Sequence, residues 1–408
     1  MSSSLKTSPG QNIRELLQSG EVIAALDWFT READAITREH IEICSIPASP
    51  FQETARAEYL RDKFLELDLT EVEIDAEGNT IGLLKGNSLK PLIVVSAHLD
   101  TVFPPGTDFT VRRDGDILLA PGISDDGCGL AAVVAIARAF RKNNINTAGS
   151  VLFVCTVGEE GEGNLRGVRH LFTKSRWAKR VDAFLSFDGP GIDRITNRAL
   201  GSRRYRVELH GTGGHSWGDF GIPNPVHALG RAIARLAAYP APLEPRTTFN
   251  VGRIAGGTSV NAIPTSASME VDLRSADDAE LRRIDAYFRR TLGQSVDEEN
   301  GERRTGDATL DVQLKLIGER PSGETSPESM IVELAQEATS LLGREARLDQ
   351  SSTDSNLPIS IGIPAITLGA GGTSGSSHTL DEWYDPRDRD MSLKRGFLLI
   401  LGMVGTPK

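Results

Sequence analysis

The sequence predicts an α/β protein: a sandwich of helices around a mixed, mostly parallel sheet, with a smaller α+β domain inserted into it. Three observations carry that prediction. A chain of 408 residues exceeds what one hydrophobic core usually covers, so two domains are expected. Uniformly apolar, β-branched runs at 91–96 and 151–157 read as strands covered on both faces, and helical spacing between them at 129–140 completes a parallel-sheet pattern. Near Leu200 the pattern changes to half-exposed, alternating strands.

The elements follow in order. Residues 1–10 are polar and read as a loose tail. Residues 13–43 show helical spacing with an interruption at Gly20, and the Pro47-Ala-Ser-Pro50 segment breaks it. A second helix over 53–67 places Ala57, Leu60, Phe64 and Leu67 three or four apart. Strands are expected at 71–75, 80–85, 91–96, 151–157 and 183–187. Beyond Leu200 come a strand at 204–211, a helix at 225–238, a strand at 269–274, a helix at 278–292 and a closing strand at 309–317. Residues 294–307, polar and charged, read as a surface loop. The apolar α/β character resumes near Ser326. The expected division is therefore 1–200 with 320–408 as one discontinuous domain, and 201–319 as the insertion.

Composition narrows the function classes. With 39% hydrophobic and 25% charged residues, the chain is not of the disordered class. Its 45 basic and 56 acidic residues give a net charge of -11. Without a Lys/Arg stripe that balance disfavours nucleic acid as a partner. No run approaches the ~20 apolar residues needed to cross a bilayer, and the first ten residues lack the apolar core of a secretory signal. Cys44, Cys128 and Cys155 are widely spaced, form no CxxC pair and read as reduced, buried residues. A cytoplasmic location is expected.

Chemistry-bearing residues gather at the ends of the buried runs, where active sites of open α/β sheets lie. In Ser96-Ala-His98-Leu-Asp100, His98 and Asp100 share a strand face, and an acidic neighbour suits a metal-binding imidazole whose second N–H must be accepted. Asp125 and Asp126 precede a helix, where capping explains one carboxylate better than two. Glu159 and Glu160 are adjacent acids at a strand end and call for positive charge nearby. Asp188 follows the 183–187 run, and His378 follows a Gly-rich loop. Taken singly, each has an ordinary reading as a strand end, cap, acidic loop or turn. Together they offer the nitrogen and oxygen donors that zinc prefers in hydrolytic sites.

In this order, Ile46-Pro, the HLD at 98–100, the SDD at 124–126, GEEGEG, FDG, GGHS, GGTSVNAIP and SSHTLDEW resemble the di-zinc metallopeptidase and deacylase superfamily. That superfamily includes peptidase T, glutamate carboxypeptidase, aminoacylase and acetylornithine deacetylase, and the resemblance runs from about residue 40 to the end. It implies two Zn2+ per subunit, with Co2+ or Mn2+ as alternatives. His98 and Asp188 would hold one ion, Glu160 and His378 the other, and Asp125 would bridge them. Glu159 would be the general base, with Asp100 orienting His98. A cis peptide after Asp125 is also implied. In the insertion, His215, Asn261 and Arg274 resemble substrate-binding positions, His215 with a catalytic part as well. The insertion would serve as a lid and dimerisation domain of a homodimer, a role also suggested by the apolar helix at 225–238. One departure is Gly127, where many relatives carry Lys. Asp188, where deacylases tend to have Glu, resembles peptidase T and points to an aminopeptidase acting on short peptides. An N-acyl amino acid deacylase or carboxypeptidase and a catalytically silent binding protein are the competing readings.

Overall fold

The computed structural model describes residues 13–407. The reading of residues 1–10 as a tail lies outside them. The chain divides into two compact units, one formed by residues up to 199 together with those from 324 onward, the other by 200–323.

The first unit is built on a mixed sheet. Its centre is four parallel strands in the order Ser150–Thr156, Leu92–His98, Ala183–Phe187 and Ala365–Leu368. Antiparallel pairings flank them, through Thr80–Leu84 and Thr70–Ile74 on one side and Arg194–Ala199 on the other. The period-two alternation of a strand sorts its side chains into two cores. Ile93, Val95 and Ala97 join one cluster with the helices Gly127–Lys142 and Arg389–Val404. Leu92 and Val94 join another with Leu165, Val168, Leu171 and Trp177. Burial on both faces is why these runs are apolar throughout. Before the sheet come the helices Ile13–Leu16, Gly20–Arg31, Ala33–Cys44 and Thr54–Glu66. The break at Gly20 is real, and Ser19 caps the helix that starts there.

Register brings the functional segments to one edge. His98 pairs with Thr156, and Phe187 with Leu368, so His98, the 157–160 loop and Asp188 all lie at the carboxyl ends of central strands. A small antiparallel sheet then carries the chain's last part to the same region. In it Trp383 pairs with Leu119, and the main-chain N–H of Ala120 donates to the Glu382 carbonyl at 3.1 Å.

The second unit is an antiparallel sheet in the order Thr247–Gly256, Ser266–Ser275, Gly201–His210 and Asp311–Arg320. The helices Pro225–Ala237 and Asp278–Gly301 supply Leu229, Leu236, Ile284, Phe288 and Leu292 to a core shared with Tyr205, Val207, Val271 and Leu273. Two expectations need correction here. Residues 294–301 are helix, not surface loop: Ser295, Val296 and Glu299 continue the buried face, and Glu299 accepts the Asn224 N–H at 2.9 Å. The apolar face of Pro225–Ala237 is buried within its own unit, so the apolar content of this helix is not an argument for a second subunit. Among the described residues no helix is long and apolar enough to cross a membrane, and Cys44, Cys128 and Cys155 are free and buried.

Candidate metal centre

His98 is the last residue of its strand and is buried. Its Nδ1 lies 3.0 Å from the main-chain oxygen of Asp100. A carbonyl only accepts, so Nδ1 carries a proton, and Nε2 is the nitrogen that can turn to a metal once its own proton is displaced. Nε2 is 3.0 Å from Asp125 Oδ1. The other oxygen of the same carboxylate, Oδ2, is 3.0 Å from His378 Nε2, which is also 2.9 Å from Glu160 Oε1. Asp125 thus stands between two imidazoles, and ligand atoms of His98, Asp125 and Glu160 lie within 4.8 Å of one another. The peptide between Asp125 and Asp126 is cis.

These groups fit a metal. A zinc ion bound by imidazole and carboxylate at about 2.0–2.2 Å places neighbouring donor atoms about 3 Å apart, the spacing seen here. The electrostatics agree. Burial pushes the Asp188 carboxyl up to about 7, and the charge of Asp125 adds to the shift. Hydrogen bonds to Asp125 and Glu160 raise His378 to about 10. Burial would lower His98, but its bond to Asp125 and the charges of Asp126 and Asp100 hold it well above the usual imidazole range. Without a cation, protons on the two rings balance the carboxylates; a divalent ion can replace them.

Glu159 and Glu160 follow the Ser150–Thr156 strand, both buried. The carboxylate of Asp100 receives their main-chain N–H groups, Glu159 N at 3.0 Å and Glu160 N at 2.8 Å. This corrects the role expected of Asp100. Its carboxylate is 3.7 Å from His98 Nδ1, so its carbonyl orients the ring while its carboxylate positions the two acids. Asp188 follows Phe187, and its N–H donates to the Leu368 carbonyl at 3.0 Å.

In the second unit, His215 lies on a two-stranded ribbon, Gly214–His215 with Ala262–Ile263. It is exposed, and its Nδ1 accepts the N–H groups of Trp217 and Gly218, each at 3.2 Å. The ring proton is therefore on Nε2. Asn261 is exposed and accepts the Ser216 N–H through its carbonyl at 3.0 Å. Arg274, on Ser266–Ser275, donates through Nε to Asp272 at 2.7 Å.

Three residues at the centre carried no assigned part in the sequence reading. Asp126 caps the helix Gly127–Lys142 and accepts the N–H groups of His98 at 3.1 Å, Gly129 at 3.1 Å and Gly189 at 3.3 Å. It ties three ligand segments together, and the second acid at a helix start was the signal for it. Buried His40 approaches the Ile123 carbonyl at 2.7 Å through Nε2, while Arg389 donates to its Nδ1 at 3.2 Å. Burial and Arg389 lower its pKa to about 3, so it stays a neutral donor. Glu382 receives four donors: Gly122 N at 3.0 Å on Oε2, then Ser124 N at 2.8 Å, Ser124 Oγ at 2.7 Å and Asp125 N at 3.1 Å on Oε1. It lies within the SSHTLDEW motif, but the sequence did not show its part, because three of its partners are main-chain groups.

Known proteins place the chain in a family. The sequence model of peptidase family M20/M25/M40 matches residues 94–402. Succinyl-diaminopimelate desuccinylase of Nitrosococcus oceani is 26% identical over 348 residues, covering 81% of this chain and 88% of that protein. The fold is similar to that of aminopeptidase PepT from Bacillus cereus, with a TM-score of 0.72 at 22% identity over 91% of this chain and 99% of that one. It is also similar to a dinuclear metal-binding peptidase of the M20 family from Bacillus subtilis, with a TM-score of 0.68 at 18% identity over 93% of this chain and 100% of that one. With the match spanning most of the sequence and a cluster of His, Asp and Glu able to hold a metal ion within it, the chain belongs to peptidase family M20/M25/M40 and is a metal-dependent hydrolase.

Proposed function

We propose that this protein is an aminopeptidase that cleaves short peptides such as tripeptides, with two zinc ions per subunit. The observation that carries the two-metal reading is the Asp125 carboxylate, which offers one oxygen toward His98 and the other toward His378. His98 and Asp188 would hold one ion and Glu160 and His378 the other, with Asp125 available to both. When bound, such a pair supplies Lewis acidity toward a carbonyl oxygen and lowers the pKa of water.

The chain's own groups do the rest. Glu159 takes the proton of the attacking water and returns it to the leaving amine. His215, with its proton on Nε2, donates to the oxygen of the scissile carbonyl as negative charge develops there. Arg274 and Asn261 bind the far end of the substrate, the guanidinium receiving a carboxylate. Asp188 is one methylene shorter than Glu and leaves room for a free α-amino group. Aminopeptidase PepT is among the structures of similar fold, which supports the same choice.

The decisive experiment compares a tripeptide with its N-acetylated form. Blocking the amine should lower kcat/KM at least tenfold, about 1.4 kcal/mol. Equal or faster cleavage of the acetylated compound would install the second reading, an N-acyl amino acid deacylase. That reading is favoured by the likeness to succinyl-diaminopimelate desuccinylase. The second unit is assigned the lid and the homodimer contact. Its edge strand Thr247–Gly256, with exposed Ile254, and the exposed Val260 nearby are the surface that supports a dimer. A monomer at micromolar concentration in light scattering would sink that assignment.

A further inference from the structure

We propose that Glu382 is a positioning residue of the reaction centre: its carboxylate holds the Gly122–Asp125 loop and thereby fixes Asp125 for metal binding. The inference rests on the reading of Asp125 as a ligand, and it assigns a function to a residue that touches neither metal nor substrate.

The loop has no regular secondary structure to hold it, yet its main-chain groups meet specific partners. Glu382 accepts from Gly122 N, Ser124 N and Asp125 N, at 3.0, 2.8 and 3.1 Å. The Ile123 N–H donates to the Ala120 carbonyl at 3.2 Å. On the carbonyl side, Gly127 N donates to Gly122 O at 3.1 Å, His40 holds Ile123 O at 2.7 Å, and Cys128 Sγ donates to Ser124 O at 3.0 Å. All four groups that meet the Glu382 carboxylate are donors, the pattern of an ionised acid. The side chain is fully buried, and hydrogen bonds to a charged group are the stronger kind.

The position of Glu382 in the chain gives the clamp a second consequence. It lies four residues after His378, and its own carbonyl accepts Ala120 N at 3.1 Å. One residue therefore locks the loop of Asp125 to the loop of His378, whose Nε2 meets Asp125 Oδ2 at 3.0 Å. Residues that orient metal ligands in this way typically change metal affinity by about 10–100-fold when lost.

Glu382→Gln is the direct test. An amide keeps the size but turns one acceptor oxygen into a donor, so either Gly122 N or the Ser124 and Asp125 groups must face an N–H. Zinc dissociation constants are read by competition with a chelating dye, and melting of the zinc-free protein is followed alongside. The clamp predicts at least tenfold weaker zinc binding, with zinc-free melting within a few degrees of wild type. Wild-type zinc affinity in a folded E382Q overturns it, as does a loss of zinc-free stability with affinity unchanged. Should E382Q fail to fold, Ser124→Ala removes the hydroxyl bond to Glu382 together with a longer 3.4 Å contact to Ser377 Oγ, and leaves the main-chain bonds in place. About threefold weaker zinc binding is then expected, and unchanged affinity overturns the clamp. Asp125→Ala separates the two layers of the argument. If it binds two zinc ions as wild type does, the ligand reading falls and the clamp with it. If it loses zinc while E382Q does not, the clamp alone falls. None of these readouts depends on which substrate is cleaved.

Discussion

Two segments that carry candidate chemistry are built in opposite ways. The Gly122–Asp125 loop is held by Glu382, His40, Cys128 and the start of a helix, with its main chain tied on both sides. The ribbon turn at His215 is exposed, and its imidazole is oriented by two main-chain N–H groups of its own turn, whose main chain is tied locally to Asp219 and Asn261. Metal ligands must converge within tenths of an ångström before the ion arrives, which calls for buried, fully hydrogen-bonded supports. A group that meets the substrate can be supplied locally, on a turn that moves as a unit. The first kind of segment should fail through metal affinity and stability, the second through turnover alone.

The sharpest separation comes from the base. Glu159→Gln should lower kcat by about 10²–10⁴-fold, since the base transfers the proton of the attacking water. Zinc content, measured by elemental analysis, should stay near wild type, because Glu159 stands beside the ligands. Loss of both ions would mean that base and ligand are misassigned between Glu159 and Glu160.

His215→Ala tests the other kind of segment. A lost donor to a developing oxyanion costs about 10²–10³-fold in kcat. The turn is exposed, so zinc affinity and melting temperature should not move. A drop in zinc affinity would erase the contrast between the two segments.

The boundary between what the sequence disclosed and what it did not follows the same division. His98, Asp125, Glu160 and His378, which the structure brings together, stood out in the sequence as metal-competent side chains at a strand end, a helix start or after a Gly-rich loop. The sheet was legible from its buried apolar runs, and strands at 92–98, 150–156 and 183–187 depart little from the expected ranges. Glu382 was not legible, because main-chain N–H groups leave no mark in a sequence. The helix through Gly301 was obscured because its charged residues find partners in Arg231 and Arg235, and a polar count cannot show that. Gly127 is a third such case. A Cβ there would meet Cys44 Sγ at 2.1 Å, so a residue distant in sequence forbids the side chain that many relatives carry.

That contact gives the next test of the rigid side. Gly127→Ala should destabilise the protein by about 1–3 kcal/mol, the usual result of overpacking a full core. Cys44→Ala in the same chain removes the sulfur but leaves the Gly122 carbonyl, which the new Cβ meets at 2.9 Å, so it should restore part of the loss, as a double-mutant cycle would register. If G127A melts like wild type, the loop has slack, and its packing is not what fixes Asp125.

The smallest effect expected is a pH dependence confined to the ligand end. In the metal-free protein His378 is raised to about 10 by Asp125 and Glu160, against about 6.5 when unfolded. Its contribution to stability is fully present below about 6.5 and is lost as pH rises through about 10. Asp188, raised to about 7 by burial and by Asp125, acts in the same direction over a lower window. Its cost begins near pH 4, where the unfolded carboxyl ionises, and grows until about 7. Between pH 4 and 10 these two groups together hold more protons in the folded metal-free chain than in the unfolded one, so their joint contribution to stability falls as pH rises, while His40, lowered to about 3, acts in the opposite direction below about 6.5. Zinc displaces those protons, so the stabilisation it brings must grow over the same range. Melting temperatures at pH 5, 7 and 9, with and without zinc, measure both trends. His378 is half-exposed and screened by solvent, so a shift of only a few degrees is expected. A metal-free melting temperature that rises from pH 7 to 9, above the window in which His40 titrates on unfolding, would mean that Asp125, Glu160 and His378 do not share one electrostatic site. The same slope persisting in His378→Ala above pH 7 would remove His378 from it.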